Sequence, residues 1–151
     1  MDDSLRDLYQ EVILDHSRHP RHFGKLEHAT NTAQGYNPLC GDRVTIYLTV
    51  DKDDRIADVR FEGKGCAISQ ASASLMTDLI VGKTVSEAER LMAGFLSLVK
   101  GETVEGLSAG DRETLDVMAG VSAFPMRVKC ATLAWHTMKS ALEGGEAAKS
   151  E

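Results

Sequence analysis

Two adjacent segments that alternate apolar and polar side chains constrain the fold more than any other feature of this sequence. Every second residue is apolar over residues 43–50, and a similar alternation recurs over residues 56–62. A period of two places successive side chains on opposite faces of a strand, so each segment predicts a strand with one buried face. The intervening DKDD stretch at 51–54 predicts a turn. Together they predict an antiparallel hairpin or meander.

Helical patterns flank this hairpin on both sides. The stretch after Cys66 is rich in alanine and serine and predicts a helix ending at Gly82, whose small side chains let it lie close against the sheet. The TVSE stretch at 84–87 is a capping box that opens another helix. The other predicted elements are a helix from residue 3 or 4 to about Pro20, a strand within 28–37, a short helix through Leu115 and Met118, an extended segment at 122–129 held by Pro125, and a last helix at about 130–143.

This order of elements predicts an α+β two-layer domain with a small antiparallel three-stranded sheet covered by helices. The chain has 151 residues, which is most simply one domain with a real hydrophobic core. We find no internal repeat and no interdomain linker, so residues 1–151 form the predicted domain. Residues 144–151 are predicted to be a flexible tail.

Charge and composition argue against two classes of partner. The net charge of −6 gives no electrostatic support to nucleic-acid binding. No apolar run approaches the roughly 18 residues that span a bilayer, and the first residues lack the pattern of a signal peptide. We therefore expect a cytoplasmic protein with no nucleic-acid and no membrane partner.

The three cysteines, Cys40, Cys66 and Cys130, are predicted to form one site. Their odd number and wide spacing argue against a secreted disulfide framework, although each could simply be a small buried apolar residue. Each is predicted at a junction between elements, and two at helix N-termini, where backbone N–H groups favour a thiolate. Three thiolates with Asp42 complete a tetrahedral set that suits Zn²⁺.

Other charged residues and histidines bear on this predicted site. Arg43, Arg127 and Lys129 flank the predicted ligands in sequence, and their positive charge would offset the excess negative charge of such a site. Four histidines at positions 16, 19, 22 and 28 could suggest a second metal cluster. We interpret these histidines instead as part of a solvated helix end and loop.

Three stretches resemble the U-type iron–sulfur assembly proteins, and within them the SufU-type branch. They are NPLCGD at 37–42, GKGCAISQASASLM at 63–76 and RVKCATLAWHTMKSAL at 127–142. Two features differ from the IscU-type branch: Lys129 stands where that branch has a histidine before its third cysteine, and FPMRVK at 124–129 replaces a Leu-Pro-Pro-Val-Lys chaperone-docking motif. The segment 101–121 is similar to the extra segment of the SufU branch.

The resemblance implies a SufE/NifU-like fold and a zinc site formed by Cys40, Asp42, Cys66 and Cys130. It implies that Cys40 accepts persulfide sulfur from a SufS-type cysteine desulfurase, a pyridoxal-phosphate enzyme, for downstream iron–sulfur scaffold proteins. In that branch the desulfurase is thought to insert a histidine into the zinc shell and displace Cys40. Arg127 matches a position implicated in partner contact.

Two alternatives stay open from the sequence. The chain could be a scaffold that builds a [2Fe–2S] cluster on the same ligands, in which case iron would replace zinc. It could also be a structural zinc domain with no role in sulfur transfer. The resemblance favours sulfur transfer over both.

Overall fold

A computed structural model describes residues 3–38, 41–144 and 148–149 of the chain. The helices are α1 (Asp3–Arg18), α2 (Ala67–Ile80), α3 (Val85–Val99), α4 (Ala109–Asp116) and α5 (Pro125–Leu142), with a 3₁₀ turn at Ala119–Ala123. The strands are β1 (Asn31–Asn37), β2 (Asp42–Val50), β3 (Ile56–Lys64) and β4 (Ala148–Lys149). In the described part of the chain, no helix is long and apolar enough to cross a membrane.

The predicted hairpin forms the centre of the sheet. Strand β2 pairs antiparallel with both β1 and β3, which confirms the three-stranded antiparallel sheet and the α+β class. The two-residue β4 adds a parallel pairing to β1 at Gly35 and Tyr36, so the strand order is β3-β2-β1-β4. Strand β4 lies within the predicted tail, whose residues 145–147 and 150–151 lie outside the described residues.

The inner face of the sheet packs against helices α2 and α5, and the outer face is turned to solvent. Along β2, Val44, Ile46 and Leu48 are buried, whereas Arg43 is exposed. This alternation follows from the period of two in the sequence. The core continues into the helices, where the side chains of Phe95 (α3) and Trp135 (α5) stack with their ring centroids 4.8 Å apart.

The capping box at the start of α3 is confirmed. The Thr84 hydroxyl accepts from the backbone N–H of Glu87, and the Glu87 carboxylate accepts from the backbone N–H of Thr84. The small residues of α2 were predicted to lie against the sheet, and they also face α5, where Ser72 donates its hydroxyl to the carbonyl of Ala131 at 2.5 Å. Such short side chains let neighbouring helices approach closely.

The prediction of an extended segment over 122–129 was wrong, because residues 122–123 belong to the 3₁₀ turn, residues 125–129 belong to α5, and Phe124 alone lies between them. Helix α5 begins at Pro125, five residues before the predicted start. Proline is favoured in the first turn of a helix because its fixed φ suits the helix and its missing N–H is not needed there. Pro125 therefore marks the start of α5 and does not hold an extended segment.

The interpretation of the histidines was wrong for His16. His16 is only 7% exposed, and its Nδ1 lies 2.7 Å from the Ser74 hydroxyl of α2. Burial lowers the pKa of His16, as does the charge of Arg21, while Asp78 and Asp15 act in the opposite direction. The end of α1 is therefore held to α2 by a buried histidine that is neutral at physiological pH.

A buried neutral histidine makes stability depend on pH. As pH falls below about 6.5, the unfolded chain takes up a proton that folded His16 resists, so the free energy of unfolding falls. We expect His16→Gln to lose less stability than the wild type between about pH 7.5 and about 5.5 in urea unfolding. His28→Gln, which changes an exposed histidine, should keep the wild-type dependence. An unaltered dependence in His16→Gln would contradict this assignment.

Candidate metal centre

Three of the four predicted ligands meet at one end of the sheet. Asp42 opens β2, Cys66 is the N-cap of α2, and Cys130 lies in the second turn of α5. One ligand atom from each residue lies within 4.8 Å of the other two. Asp42 and Cys130 are buried, and Cys66 is partly exposed. Residues separated by up to 88 positions thus form one compact group, reached from solvent on the Cys66 side.

The carboxylate of Asp42 is oriented by a backbone N–H group at the start of α2. Its Oδ1 accepts the backbone N–H of Cys66 at 3.1 Å, and its Oδ2 lies 4.0 Å from the Cys66 Sγ. The turn before Asp42 contains Gly41 with a φ of +74°, a left-handed conformation that glycine adopts without strain. The first oxygen is thereby anchored, and the second is directed at the sulfur atoms.

The two described cysteines differ in their helical environment. Cys66 precedes the first turn of α2 and makes no capping hydrogen bond with its side chain, so its sulfur lies near the unpaired N–H groups of the helix start. Cys130 is not at the start of α5, contrary to the prediction, because α5 begins at Pro125. Its Sγ lies 3.7 Å from the carbonyl oxygen of Met126, one turn earlier. The argument from the helix dipole therefore applies to Cys66 alone of these two.

Arg127 is a surface residue that also interacts with two of the candidate ligands. It lies in the first turn of α5, and its exposed guanidinium interacts with both Cys66 and Cys130. Charge interaction with Cys66 raises the pKa of Arg127 most, and a hydrogen bond to Cys130 adds to the rise. The sequence placed Arg127 only beside a ligand and at a partner-contact position. Its contact with the two sulfurs needed the helical start of α5, which the sequence reading missed.

Cys40 and Leu39 lie outside the described residues. The chain on either side is described: Gly41 donates its backbone N–H to the carbonyl of Asn37 at 2.8 Å, and Asp42 follows directly. The roles of Cys40 as fourth ligand and as sulfur acceptor stay predictions.

The donor atoms that the structure brings together suit zinc. Zinc in proteins is bound by thiolates, imidazoles and carboxylates, usually four in a tetrahedron. Two cysteine sulfurs and one carboxylate provide three such donors, whereas Ca²⁺ and Mg²⁺ prefer oxygen ligands throughout. The buried carboxylate of Asp42 with no basic residue bonded to it among the described contacts fits a cationic occupant. A fourth donor is needed, and Cys40 is the predicted one.

Gly65 emerges from the structure as a positioning residue for Asp42. A Cβ atom at this glycine would lie 2.7 Å from the Asp42 Oδ1 and 3.0 Å from its Cγ. Such contacts are too short, so any side chain at position 65 must displace the carboxylate.

We expect Gly65→Ala to weaken zinc binding by roughly 10–100-fold, the range seen when groups that orient a metal ligand are changed. Competition with a chromophoric chelator measures the affinity. Gly110→Ala is the matched control, because a Cβ there meets nothing within 4 Å and Gly110 lies on α4. Equal zinc affinity in the two variants would show that Gly65 does not position Asp42.

Comparison with known proteins gives a consistent result. The model of the NifU-like N terminal domain matches residues 8–131. A Bacillus subtilis protein named zinc-dependent sulfurtransferase SufU is 40% identical over 146 residues, covering 94% of this chain and 96% of that protein. A Streptococcus pyogenes protein named iron-sulfur cluster assembly scaffold protein IscU is 40% identical over 139 residues, covering 92% of this chain and 85% of that protein.

The fold has a solved counterpart. The crystal structure of a putative iron-sulfur cluster assembly scaffold protein for the SUF system from Fervidobacterium islandicum superposes with a TM-score of 0.82 at 38% identity. The match covers 93% of this chain and 99% of that one. With the family model matched over most of its length, the chain belongs to the NifU-like N-terminal domain family.

Proposed function

We propose that this protein is a zinc-dependent sulfur acceptor that takes persulfide sulfur from a SufS-type cysteine desulfurase onto Cys40, for iron–sulfur cluster assembly. The observation that carries the proposal is the convergence of Asp42, Cys66 and Cys130 within 4.8 Å, with Cys40 two residues before Asp42. The name of the B. subtilis relative supports the same function. Because the thiols must stay reduced, we expect the protein to act in the cytoplasm.

Asp42, Cys66 and Cys130 would hold the zinc, with Cys40 completing the set. When bound, zinc keeps its cysteine ligands deprotonated and shields them from oxidation. Four ionised ligands around Zn²⁺ leave a net charge of about −2. The guanidinium of Arg127, which contacts Cys66 and Cys130, offsets part of that charge.

The sulfur-transfer step is a thiol–disulfide exchange. The thiolate of Cys40 attacks the outer sulfur of the donor persulfide, and a new S–S bond forms to the Cys40 Sγ. The S–S bond of the donor breaks, and its electron pair stays on the donor cysteine as a thiolate. No external oxidant or reductant is consumed, because the sulfur keeps its oxidation state between donor and acceptor.

The position of Cys40 in the sequence distinguishes it from the other two cysteines as acceptor. Cys130 is fully buried at 0% exposure and Cys66 is held at the start of α2, whereas Cys40 lies in the connection between β1 and β2. A cysteine in a connecting segment can leave a shared ligand set without moving a helix. Asp42 and Cys66 stay linked by the hydrogen bond between the Asp42 Oδ1 and the Cys66 N–H.

A scaffold function is the second candidate. The S. pyogenes relative and the F. islandicum structure both carry scaffold in their names, and thiolates also bind iron–sulfur clusters. A purified protein with visible absorption that donates an intact [2Fe–2S] cluster to an apo acceptor would favour this candidate over sulfur transfer.

The proposal is tested by metal analysis combined with a desulfurase assay. We expect about one zinc per chain and strong stimulation of cysteine desulfuration by the purified protein. Removal of zinc with a chelator should abolish the stimulation, and stoichiometric zinc should restore it. Full stimulation by the stripped protein would contradict the proposal, and a folded stripped protein that never affects the desulfurase would favour a structural zinc domain.

A further inference from the structure

Two exposed cations lie opposite each other on neighbouring strands beside the metal centre. In the register of β2 and β3, Arg43 lies opposite Lys64, and both point to the outer face of the sheet. We propose that Arg43 and Lys64 form a docking surface for an acidic surface of the sulfur donor. This inference rests on the proposed function, because it names where the donor of that function binds.

The position of this cation pair is costly for the isolated chain. Like charges directly opposite each other on neighbouring strands destabilise a sheet. Neither Arg43 nor Lys64 forms an ion pair with any residue that the structure describes. Among the described residues no ion pair offsets the repulsion between these two cations, which favours a role in contact with a partner.

The neighbouring acid on the same face of the sheet is engaged elsewhere. Glu62 lies two residues before Lys64 on β3, on the same outer face of the sheet. From there its carboxylate could reach either cation. Instead it accepts the hydroxyl of Tyr47 at 2.6 Å, a bond that raises the pKa of Tyr47 to about 12. Tyr47 lies on the side of Glu62 away from the metal centre. Glu62 is thus directed away from Arg43 and Lys64, and their charge stays available.

The uneven distribution of charge along the β2–β3 hairpin lets this cation pair orient an acidic partner. The chain carries a net charge of −6, and the turn at 51–54, at the other end of the β2–β3 hairpin, contains three aspartates. Strand β2 separates the two ends by about 25–30 Å, given its nine residues. An acidic partner is therefore repelled at the 51–54 turn and attracted at Arg43 and Lys64. Such asymmetry steers association and orients the partner.

The sulfur donor is the occupant that fits this location. Arg43 follows Asp42 directly and lies three residues after Cys40, while Lys64 is two residues before Cys66. Any protein that brings its persulfide into bonding distance of Cys40 must cover the surface next to it. Acidic groups on that protein would pair with both cations and relieve their mutual repulsion.

Charge reversal tests the surface in the full-length zinc-loaded protein. We expect Arg43→Glu/Lys64→Glu to raise the KM of the desulfurase for this protein by about tenfold or more, with kcat unchanged. Because the structure places Arg43 on the face of β2 opposite to Asp42, away from the ligands that the sequence had placed beside it, the zinc content should equal that of the wild type. Increasing salt should raise the KM of the wild type and affect the double variant much less, because screening acts on exposed charges.

The matched control is Lys52→Glu/Arg90→Glu, which makes the same change in net charge at exposed positions in the far turn and on α3. A KM for Arg43→Glu/Lys64→Glu equal to that of this control would overturn the docking proposal, while stimulation by the wild type would leave the proposed function standing. A wild type without any effect on the desulfurase would overturn both. A wild type that sediments as a dimer and a double variant that sediments as a monomer, with equal KM values, would assign the surface to a second copy instead.

Discussion

Replacing Cys66 with serine is expected to remove nearly all bound zinc and leave the fold intact. The substitution deletes one of the two described thiols of the centre, so the loss should exceed the roughly 10–100-fold caused by changes around a ligand. Helix α2 should persist, because Cys66 makes no capping hydrogen bond and serine is a favoured N-cap residue. Metal analysis measures the zinc, and circular dichroism measures the helix content.

The neighbouring substitution Ala67→Ser is the control, since it introduces the same hydroxyl one position later at an exposed site. It should retain stoichiometric zinc. If Cys66→Ser also retained stoichiometric zinc at wild-type affinity, Cys66 would not be a ligand, and the centre formed by Asp42, Cys66 and Cys130 would have another purpose.

Replacing Cys40 with alanine is expected to reduce desulfurase stimulation to the basal level. Without this thiolate the chain lacks the proposed acceptor for the outer persulfide sulfur, so the proposed exchange reaction has no attacking group. Helices α2 and α5, which carry Cys66 and Cys130, are not touched by the change. Initial rates of alanine and sulfide production by the desulfurase measure the effect.

The exposed Pro38→Ala provides the comparison for Cys40→Ala, because it alters the same connection and leaves every thiol in place. We expect it to stimulate the desulfurase at nearly the wild-type level. Full stimulation by Cys40→Ala, with no less persulfide on the chain, would refute the role of Cys40.

The sheet and most helix boundaries could be predicted from the sequence because local patterns determine them. The alternation in β2 and β3 records which face is buried, and the Thr84 capping box marks a helix start by its own hydrogen bonds. The start of α5 was missed because Pro125 is compatible with both a stiff loop and a first helical turn. The pairing of β4 to β1 depends on tertiary contacts that two residues cannot encode.

The candidate site was likewise predictable from the sequence only in part. Cys66 and Cys130 could be proposed because both were predicted at element boundaries, where thiols are uncommon as core filling, although Cys130 in fact lies in the second turn of α5. Asp42 could be proposed because it stands two residues after Cys40. Their common position was a consequence of topology: β2 starts beside the end of β3, α2 packs on β3, and α5 packs on β1 and β2.

The details that orient the site needed coordinates. The bond from the Cys66 N–H to Asp42, and the lack of room beside Gly65, involve distances that no motif specifies. His16 was missed for a related reason, since its burial depends on Ser74 in a helix 58 positions away.

The most direct test of the central claim is to locate the transferred sulfur. The zinc-loaded protein is incubated with the desulfurase and cysteine, its thiols are alkylated, and its peptides are examined by mass spectrometry. We predict one added sulfur atom on the peptide containing Cys40, and none on the peptides containing Cys66 or Cys130. Added sulfur on Cys66 or Cys130 in place of Cys40, or no added sulfur despite full stimulation, would contradict the proposal.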